Sequence, residues 1–138
     1  MIVLDTNVLS EVMKQSPDPT VAHWTMRELS LGLFTTAVSE AEIIYGVTIL
    51  PEGRRKQALE AAVQRILTLF TGRILPFDSE AARAFAAIVA DRRRIGRPIN
   101  HFDAQIAAIT RAHGMSLATR NIRDFEETGV QVLDPWRS

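Results

Sequence analysis

The sequence contains no cysteine, and this absence excludes two kinds of structural support. A disulfide framework is impossible, and so is a zinc site built from thiolates. Any bound metal must therefore be held by oxygen ligands or by the three histidines. A chain of 138 residues is long enough to bury a stable core without disulfides. Because such a composition suits a reducing compartment, we expect a cytoplasmic protein.

Long apolar runs and a surplus of either charge are also absent. Nowhere do about 18 consecutive apolar residues occur, so the sequence predicts no membrane span. The N-terminus has no basic leader followed by an apolar stretch, and this gives no indication of secretion. Sixteen basic residues balance sixteen acidic ones, so the chain has no strong overall positive field for nucleic acid. The basic runs at 53–56 and 91–94 are interpreted as solvated helix faces unless they lie at a chemical site.

Short apolar runs alternate with segments of helical periodicity along the chain. Continuous apolar runs predict five strands, at 2–5, 33–37, 73–77, 115–119 and 130–133. Helical spacing predicts six helices, at 8–13, 18–29, 39–50, 54–70, 79–94 and 102–113. Fully apolar strands separated by helices are typical of a parallel sheet covered on both faces. Since no linker or repeat divides the chain, we expect one α/β domain over residues 1–138.

Three acidic residues fall where strands end or helices begin. Asp5 directly follows the first predicted strand, and Glu42 and Asp103 each lie in the first turn of a predicted helix. The carboxyl ends of parallel strands and the amino ends of the helices after them share one edge of the sheet, where ligand sites collect. We therefore expect these acids at that edge. The polar segment 119–125 follows another strand and is expected there too.

Two of these acids also have a purely structural interpretation. Ser39 and Glu42 have the spacing of a capping box, in which serine caps the helix and glutamate reaches back to it. Asn100 and Asp103 have the same spacing. Capping and metal binding are compatible, because the helix dipole keeps a first-turn carboxylate ionised. Gly46 lies one turn after Glu42 and costs about 1 kcal/mol in a helix, so it predicts a close approach by another helix or group.

The residue types at this edge favour one kind of chemistry. Several carboxylates without cysteine or a histidine pair suit a hard cation such as Mg²⁺ or Mn²⁺. Such ions activate water and stabilise the charge that develops when a phosphodiester is hydrolysed. Arg120 and Arg123 carry side chains suited to phosphate oxygens nearby. The residues therefore favour metal-dependent phosphodiester hydrolysis.

Four segments of the chain resemble, in this order, the motifs of PIN-domain ribonucleases: IVLDTNVLSE, SEAEIIYGV, INHFDAQIAAI and LATRNIRDFE. The likeness is to VapC-type toxins of bacterial type II toxin–antitoxin pairs, in the subgroup that includes the FitB-like proteins. GRILPFD and VLDPW are also similar to that subgroup, so the resemblance covers nearly the whole chain. It implies a PIN-like α/β/α sandwich with a central parallel β-sheet, usually a homodimer, that cleaves RNA with Mg²⁺ or Mn²⁺.

The resemblance also implies roles for individual residues. By their position in the motifs, Asp5 and Asp103 are metal ligands and Glu42 is a further catalytic acid. Thr6 and Asn7 belong to the opening motif and orient Asp5 or the waters of the metal.

The fourth acid of the family is where the sequence departs from the pattern. Some members have aspartate directly after the Thr119–Arg120 pair, whereas this chain has Asn121 there and Asp124 three residues later. Either Asn121 serves as a neutral ligand, or Asp124 takes the catalytic role, which we favour. Thr119, Arg120 and Asn121 are candidates for supporting the site or binding substrate.

The partner implied by the resemblance is a small VapB-type antitoxin. Its tail fills the acidic groove of the toxin and its dimer binds operator DNA, so the toxin meets DNA only indirectly.

Three other interpretations compete with the nuclease. A catalytically silent PIN-like module would bind metal or a partner without hydrolysis, and the missing fourth acid is its best argument. Haloacid-dehalogenase-like phosphatases need a second aspartate where this chain has Asn7. Response-regulator receivers need a lysine late in the chain, whereas the lysines here are Lys14 and Lys56.

Overall fold

A parallel sheet of five short strands forms the centre of the molecule, which the computed structural model describes over residues 1–138. The strands are β1 (Ile2–Leu4), β2 (Leu33–Thr36), β3 (Ile74–Leu75), β4 (Ser116–Ala118) and β5 (Val132–Leu133). They lie in the order β3-β2-β1-β4-β5, and every pairing is parallel. The predicted parallel sheet is thus confirmed, and its first strand is the central one.

Six helices connect the strands, and several begin where the sequence predicts. They are α1 (Thr6–Val12), α2 (Pro19–Glu28), α3 (Ala37–Thr48), α4 (Arg54–Leu69), α5 (Ser79–Arg94) and α6 (His101–Ala112). Short 3₁₀ turns occupy Leu29–Leu31, Ile122–Phe125 and Pro135–Arg137. Asp18 caps α2 by accepting from the Thr20 amide, and Pro19 takes the first helical position. None of the helices is long and apolar enough to cross a membrane.

The side chains of β1 alternate between two hydrophobic clusters, one on each face of the sheet. Ile2 and Leu4 pack with apolar residues of α1, α2 and α4, whereas Val3 packs with those of α5 and α6. Helix α3 contributes to both clusters, through Ile43 on one side and Val38 on the other. Because helices cover both faces, the fold is the expected α/β/α sandwich.

Two expectations about α3 are wrong. The helix begins at Ala37 rather than Ser39, and Thr36 caps it by accepting from the Ser39 amide at 3.0 Å. Because β2 runs directly into α3, the earlier hydroxyl takes the cap, and the capping box of Ser39 and Glu42 does not form. Gly46 is exposed, and a Cβ built there would meet nothing within 4 Å. No other part of the chain therefore approaches Gly46 closely.

Candidate metal centre

The site begins with the pairing of β1 and β4. Leu4 pairs with Ala118, so the next residues, Asp5 and Thr119, leave the sheet side by side. The Thr119 hydroxyl donates to Asp5 Oδ2 at 2.7 Å, although 114 positions separate the two residues. Both side chains are buried. The register of two parallel strands thus fixes the position of the first acid at the carboxyl edge of the sheet.

Asp5 is a buried carboxylate that is held by hydrogen bonds and pairs with no basic side chain. Its Oδ1 accepts from the Thr6 amide at 2.8 Å, which caps α1, and its Oδ2 also accepts from Asn7 Nδ2 at 3.2 Å. Burial raises the pKa of Asp5, the bonds from Thr119 and Thr6 oppose that rise, and repulsion from Glu42 and Asp124 adds to it. The structure therefore holds Asp5 rigidly in an environment that disfavours its negative charge.

Asp103 lies in the first turn of α6 and belongs to the same electrostatic cluster. Asn100 caps the helix by accepting from the Asp103 amide at 2.8 Å, and its own amide group donates to Asp103 Oδ2 at 3.0 Å. The spacing that predicts a cap here is confirmed. Loss of solvation, followed by repulsion from Asp5, Asp124 and Glu42, raises the pKa of Asp103 to about 6. Asn100 thus caps the helix as predicted, but the Asp103 carboxylate bonds only to the Asn100 side chain, so the reciprocal bond of a capping box does not form.

Glu42 reaches the same edge from the second turn of α3. Its Oε1 accepts from the Thr6 hydroxyl at 2.7 Å, and that hydroxyl also lies 2.9 Å from Ser39 Oγ. Thr6 therefore contacts two acids of the site at once, Asp5 through its backbone and Glu42 through its side chain. This contact ties the start of α1 to α3.

Asp124 approaches the cluster from the 3₁₀ turn at Ile122–Phe125. Its charge contributes to the raised pKa of both Asp5 and Asp103, which places its carboxylate within electrostatic reach of them. Asn121 precedes the turn without capping it through its side chain, and its amide donates to Thr119 Oγ1 at 3.1 Å. Asp124 is thus exposed within electrostatic reach of the other acids without joining them in one ion-binding group, and Asn121 is held to Thr119 through its backbone amide.

The four acids, Asp5, Glu42, Asp103 and Asp124, concentrate negative charge without a basic partner. None of the five ion pairs in the structure includes any of them. No three acidic or histidine side chains lie close enough together to hold one ion between them. All the available donors are oxygen atoms, which suit a hard divalent cation. Such a cation would also relieve the repulsion that raises the pKa of Asp5 and Asp103.

A groove of about 470 Å³ lies beside Asp124 and carries basic groups. Three arginines, Arg120, Arg123 and Arg137, line it together with three acids, Asp124, Glu126 and Asp134, and Arg137 pairs with Asp134. The guanidinium carbon of Arg120 lies 4.9 Å from the centre of the Trp136 ring, and its amide donates to Asn7 Oδ1 at 3.2 Å. The expected phosphate-binding groups therefore lie next to the acids.

The basic runs are solvated helix faces with two exceptions, Lys56 and Arg92. The Lys56 side chain is only 12% exposed and pairs with Glu52. Arg54 and Arg55 are exposed, as expected for the first run. Arg92 instead is only 5% exposed and donates to backbone carbonyls of the segment around Asp124. One feature of the sequence does indicate that Arg92 is buried. It lies four residues after the buried Ile88, on the inner face of α5.

Comparison with known proteins places this geometry in a family. The PIN domain family model matches residues 2–131. Over 137 residues the chain is 37% identical to the VapC ribonuclease Y4jK of Sinorhizobium fredii, covering 99% of this chain and 98% of that one. It is 38% identical over 137 residues to the toxin FitB of Neisseria gonorrhoeae, covering 99% of each. The solved structure of FitAB bound to an IR36 DNA fragment matches with a TM-score of 0.90 and 39% identity, covering 99% of this chain and 96% of that one. The chain therefore belongs to the PIN-domain family, in the branch that contains the VapC and FitB proteins.

Proposed function

We propose that this chain is the toxin of a type II toxin–antitoxin pair and that it hydrolyses phosphodiester bonds of RNA with a divalent cation. The observation that carries the proposal is that Asp5 and Glu42 meet through Thr6 at the carboxyl edge of the sheet, with Asp103 and Asp124 within electrostatic reach and no basic side chain paired with any of the four. Carboxylates in such a cluster are the groups that metal-assisted phosphodiester hydrolysis needs. RNA as the substrate is supported by the relative named a ribonuclease, and the whole chain, residues 1–138, would be one PIN domain.

Asp5 and Asp103 are our proposed metal ligands, with Mg²⁺ or Mn²⁺ as the cation. Each carboxylate is oriented by neighbouring donors, Asp5 by Thr119 and the Thr6 amide, and Asp103 by Asn100. A divalent cation, when bound, lowers the pKa of a water molecule and neutralises charge on phosphate oxygens. When no cation is bound, the surroundings of both carboxylates disfavour their negative charge. This supports their role as ligands of a cation.

Glu42 and Asp124 are proposed to orient the attacking water and accept its proton. The Thr6 hydroxyl donates to one carboxylate oxygen of Glu42. The second oxygen is left to accept a proton. Asp124 follows β4 at the same edge of the sheet, and in this proposal it fills the fourth acidic position in preference to Asn121. Asn7 supports the arrangement by contacting Asp5 and the backbone of Arg120.

The substrate strand is proposed to follow the groove beside Asp124. The Arg120 and Arg123 guanidinium groups suit the phosphate oxygens of an RNA backbone. Arg120 lies over Trp136, and this contact limits the orientations of its side chain. The groove therefore binds the phosphates on one side of the scissile bond.

A VapB-type antitoxin is the proposed partner, and operator DNA is reached through it. The relative solved as FitAB with DNA supports this assembly. We further propose that the toxin is a homodimer and acts in the cytoplasm.

The test is to incubate purified, antitoxin-free protein with an RNA mixture in Mg²⁺ and in EDTA. We expect cleavage that needs the cation and that Asp5→Asn abolishes. Asp18→Asn is the matched control, because Asp18 also caps a helix but lies outside the acid cluster. Cleavage that survives Asp5→Asn refutes the mechanism, and wild-type protein that never cleaves supports the silent module instead.

A further inference from the structure

Arg92 is a buried cation without an acidic partner. Its side chain belongs to α5, and no ion pair in the structure includes it. Its Nη1 donates to the carbonyls of Asp124 at 2.9 Å and Glu126 at 3.0 Å, and its Nε donates to the carbonyl of Arg97 at 2.7 Å. A buried charge costs several kcal/mol unless its donors are satisfied. These three carbonyl groups therefore stabilise the guanidinium in its place.

The segment that receives these bonds is the one that carries Asp124. Its carbonyl groups at Asp124 and Glu126 face α5 rather than a neighbouring strand. Phe125 anchors the segment from within the core, and Glu126 pairs with Arg97 at 3.0 Å on the surface. Arg92 thus bonds to the backbone on both sides of Phe125, and Arg97 and Thr128 add bonds to the carbonyl groups of Arg123 and Phe125.

We propose that Arg92 is a positioning residue for the Asp124 carboxylate. By holding the carbonyl groups of Asp124 and Glu126, it sets the orientation of the 3₁₀ turn, and so keeps the Asp124 carboxylate directed at Asp5 and Asp103. The inference rests on the proposed function, because it assigns Asp124 to the reaction.

The geometry of the guanidinium explains why arginine serves here. Its planar fork offers Nη1 to two carbonyls that are two residues apart and Nε to a third on another segment. A lysine ammonium is a single point of charge and cannot reproduce that fork. Arg92→Lys should therefore restore only part of what Arg92→Met removes.

The test compares Arg92→Met, Arg92→Lys and the control Arg93→Met, whose arginine is exposed on the same helix. Mn²⁺ affinity is measured by calorimetry and RNA cleavage in single-turnover experiments. We expect Arg92→Met to weaken both by about tenfold or more, because a displaced Asp124 no longer adds its charge to the acids that hold the cation and no longer serves the attacking water. Arg93→Met should change neither, and faster amide exchange in Arg92→Met should be confined to residues 122–128.

A double-mutant cycle separates positioning from general structural damage. If Arg92 acts through Asp124, then adding Arg92→Met to Asp124→Asn causes no further loss of Mn²⁺ affinity or cleavage. Losses that multiply, or an Asp124→Asn variant that behaves as wild type, overturn the inference. The Mn²⁺ arm of the cycle decides the role of Arg92 even if the wild type cleaves no RNA, whereas that failure alone refutes the proposed function.

Discussion

Replacing Asp103 with asparagine is expected to stabilise the metal-free protein while removing its response to metal. In the folded state the pKa of Asp103 is about 6, against an ordinary value of 3.8. At about 1.4 kcal/mol for each tenfold change in proton affinity, this gap sets an upper limit of about 3 kcal/mol at pH 7. Asp103 is partly exposed and therefore screened by water, so we expect about 1–1.5 kcal/mol. For a chain of this size, that corresponds to an increase in Tm of about 3–6 °C.

The pH dependence of the difference checks the reasoning. Because the folded pKa of Asp103 lies above the unfolded one, its favourable contribution is complete below about pH 4 and is lost as the pH rises through about 6. Asp103→Asn should therefore melt higher than wild type at pH 7 in EDTA, and the gap should close toward pH 4. The Asn100 cap is preserved, since its bond to the residue-103 amide does not use the carboxylate. With Mg²⁺ or Mn²⁺ the wild type should gain stability and the variant little. An Asp103→Asn protein that melts lower than wild type in EDTA at pH 7 refutes the account.

Substitutions at three further positions test the geometry around the site by denaturant unfolding. Thr119→Val removes the donor to Asp5 and should lower the free energy of unfolding by about 1–3 kcal/mol. Thr119→Ser keeps the hydroxyl and should lower it much less. Thr36→Ala removes the cap of α3 and should cost about 1 kcal/mol; no loss would mean that Ser39 caps the helix after all. Gly46→Ala should stabilise the monomer by up to about 1 kcal/mol, since its Cβ meets open space. A loss of stability instead would show that a second chain packs against that helix face.

The fold was largely predictable because its local signals are strong and agree with one another. Asp18 followed by Pro19 can start a helix but cannot continue a strand. The spacing of Ala81, Ile88 and Val89 indicates which face of α5 is buried. The apolar continuity of the strands indicates burial on both sides, which only a parallel sheet between helix layers provides. The strand order is not predictable in this way, since it depends on which strands pair across the whole chain.

The site was less predictable where two residues compete for one role. Thr36 and Ser39 both offer a hydroxyl near the start of α3, about one helical turn apart. Which of them caps the helix depends on where β2 ends. Arg92 stands in a basic run whose composition predicts exposure, and only its position relative to Ile88 shows that it lies inside. Sequence spacing locates acids well when they follow strand ends, as Asp5 does, and poorly when backbone carbonyls are the partners.

The central position of β1 has a consequence for how the chain folds. Asp5 and its partner Thr119 are separated by 114 positions, so their contact closes a long loop, and such contacts form slowly. β1 also pairs with β2, which lies much closer to it in the sequence. A chain that has formed only this pair carries Asp5 and Glu42 beside an unpaired strand edge. We therefore expect the acid cluster to be completed late in folding, when β4 pairs with β1.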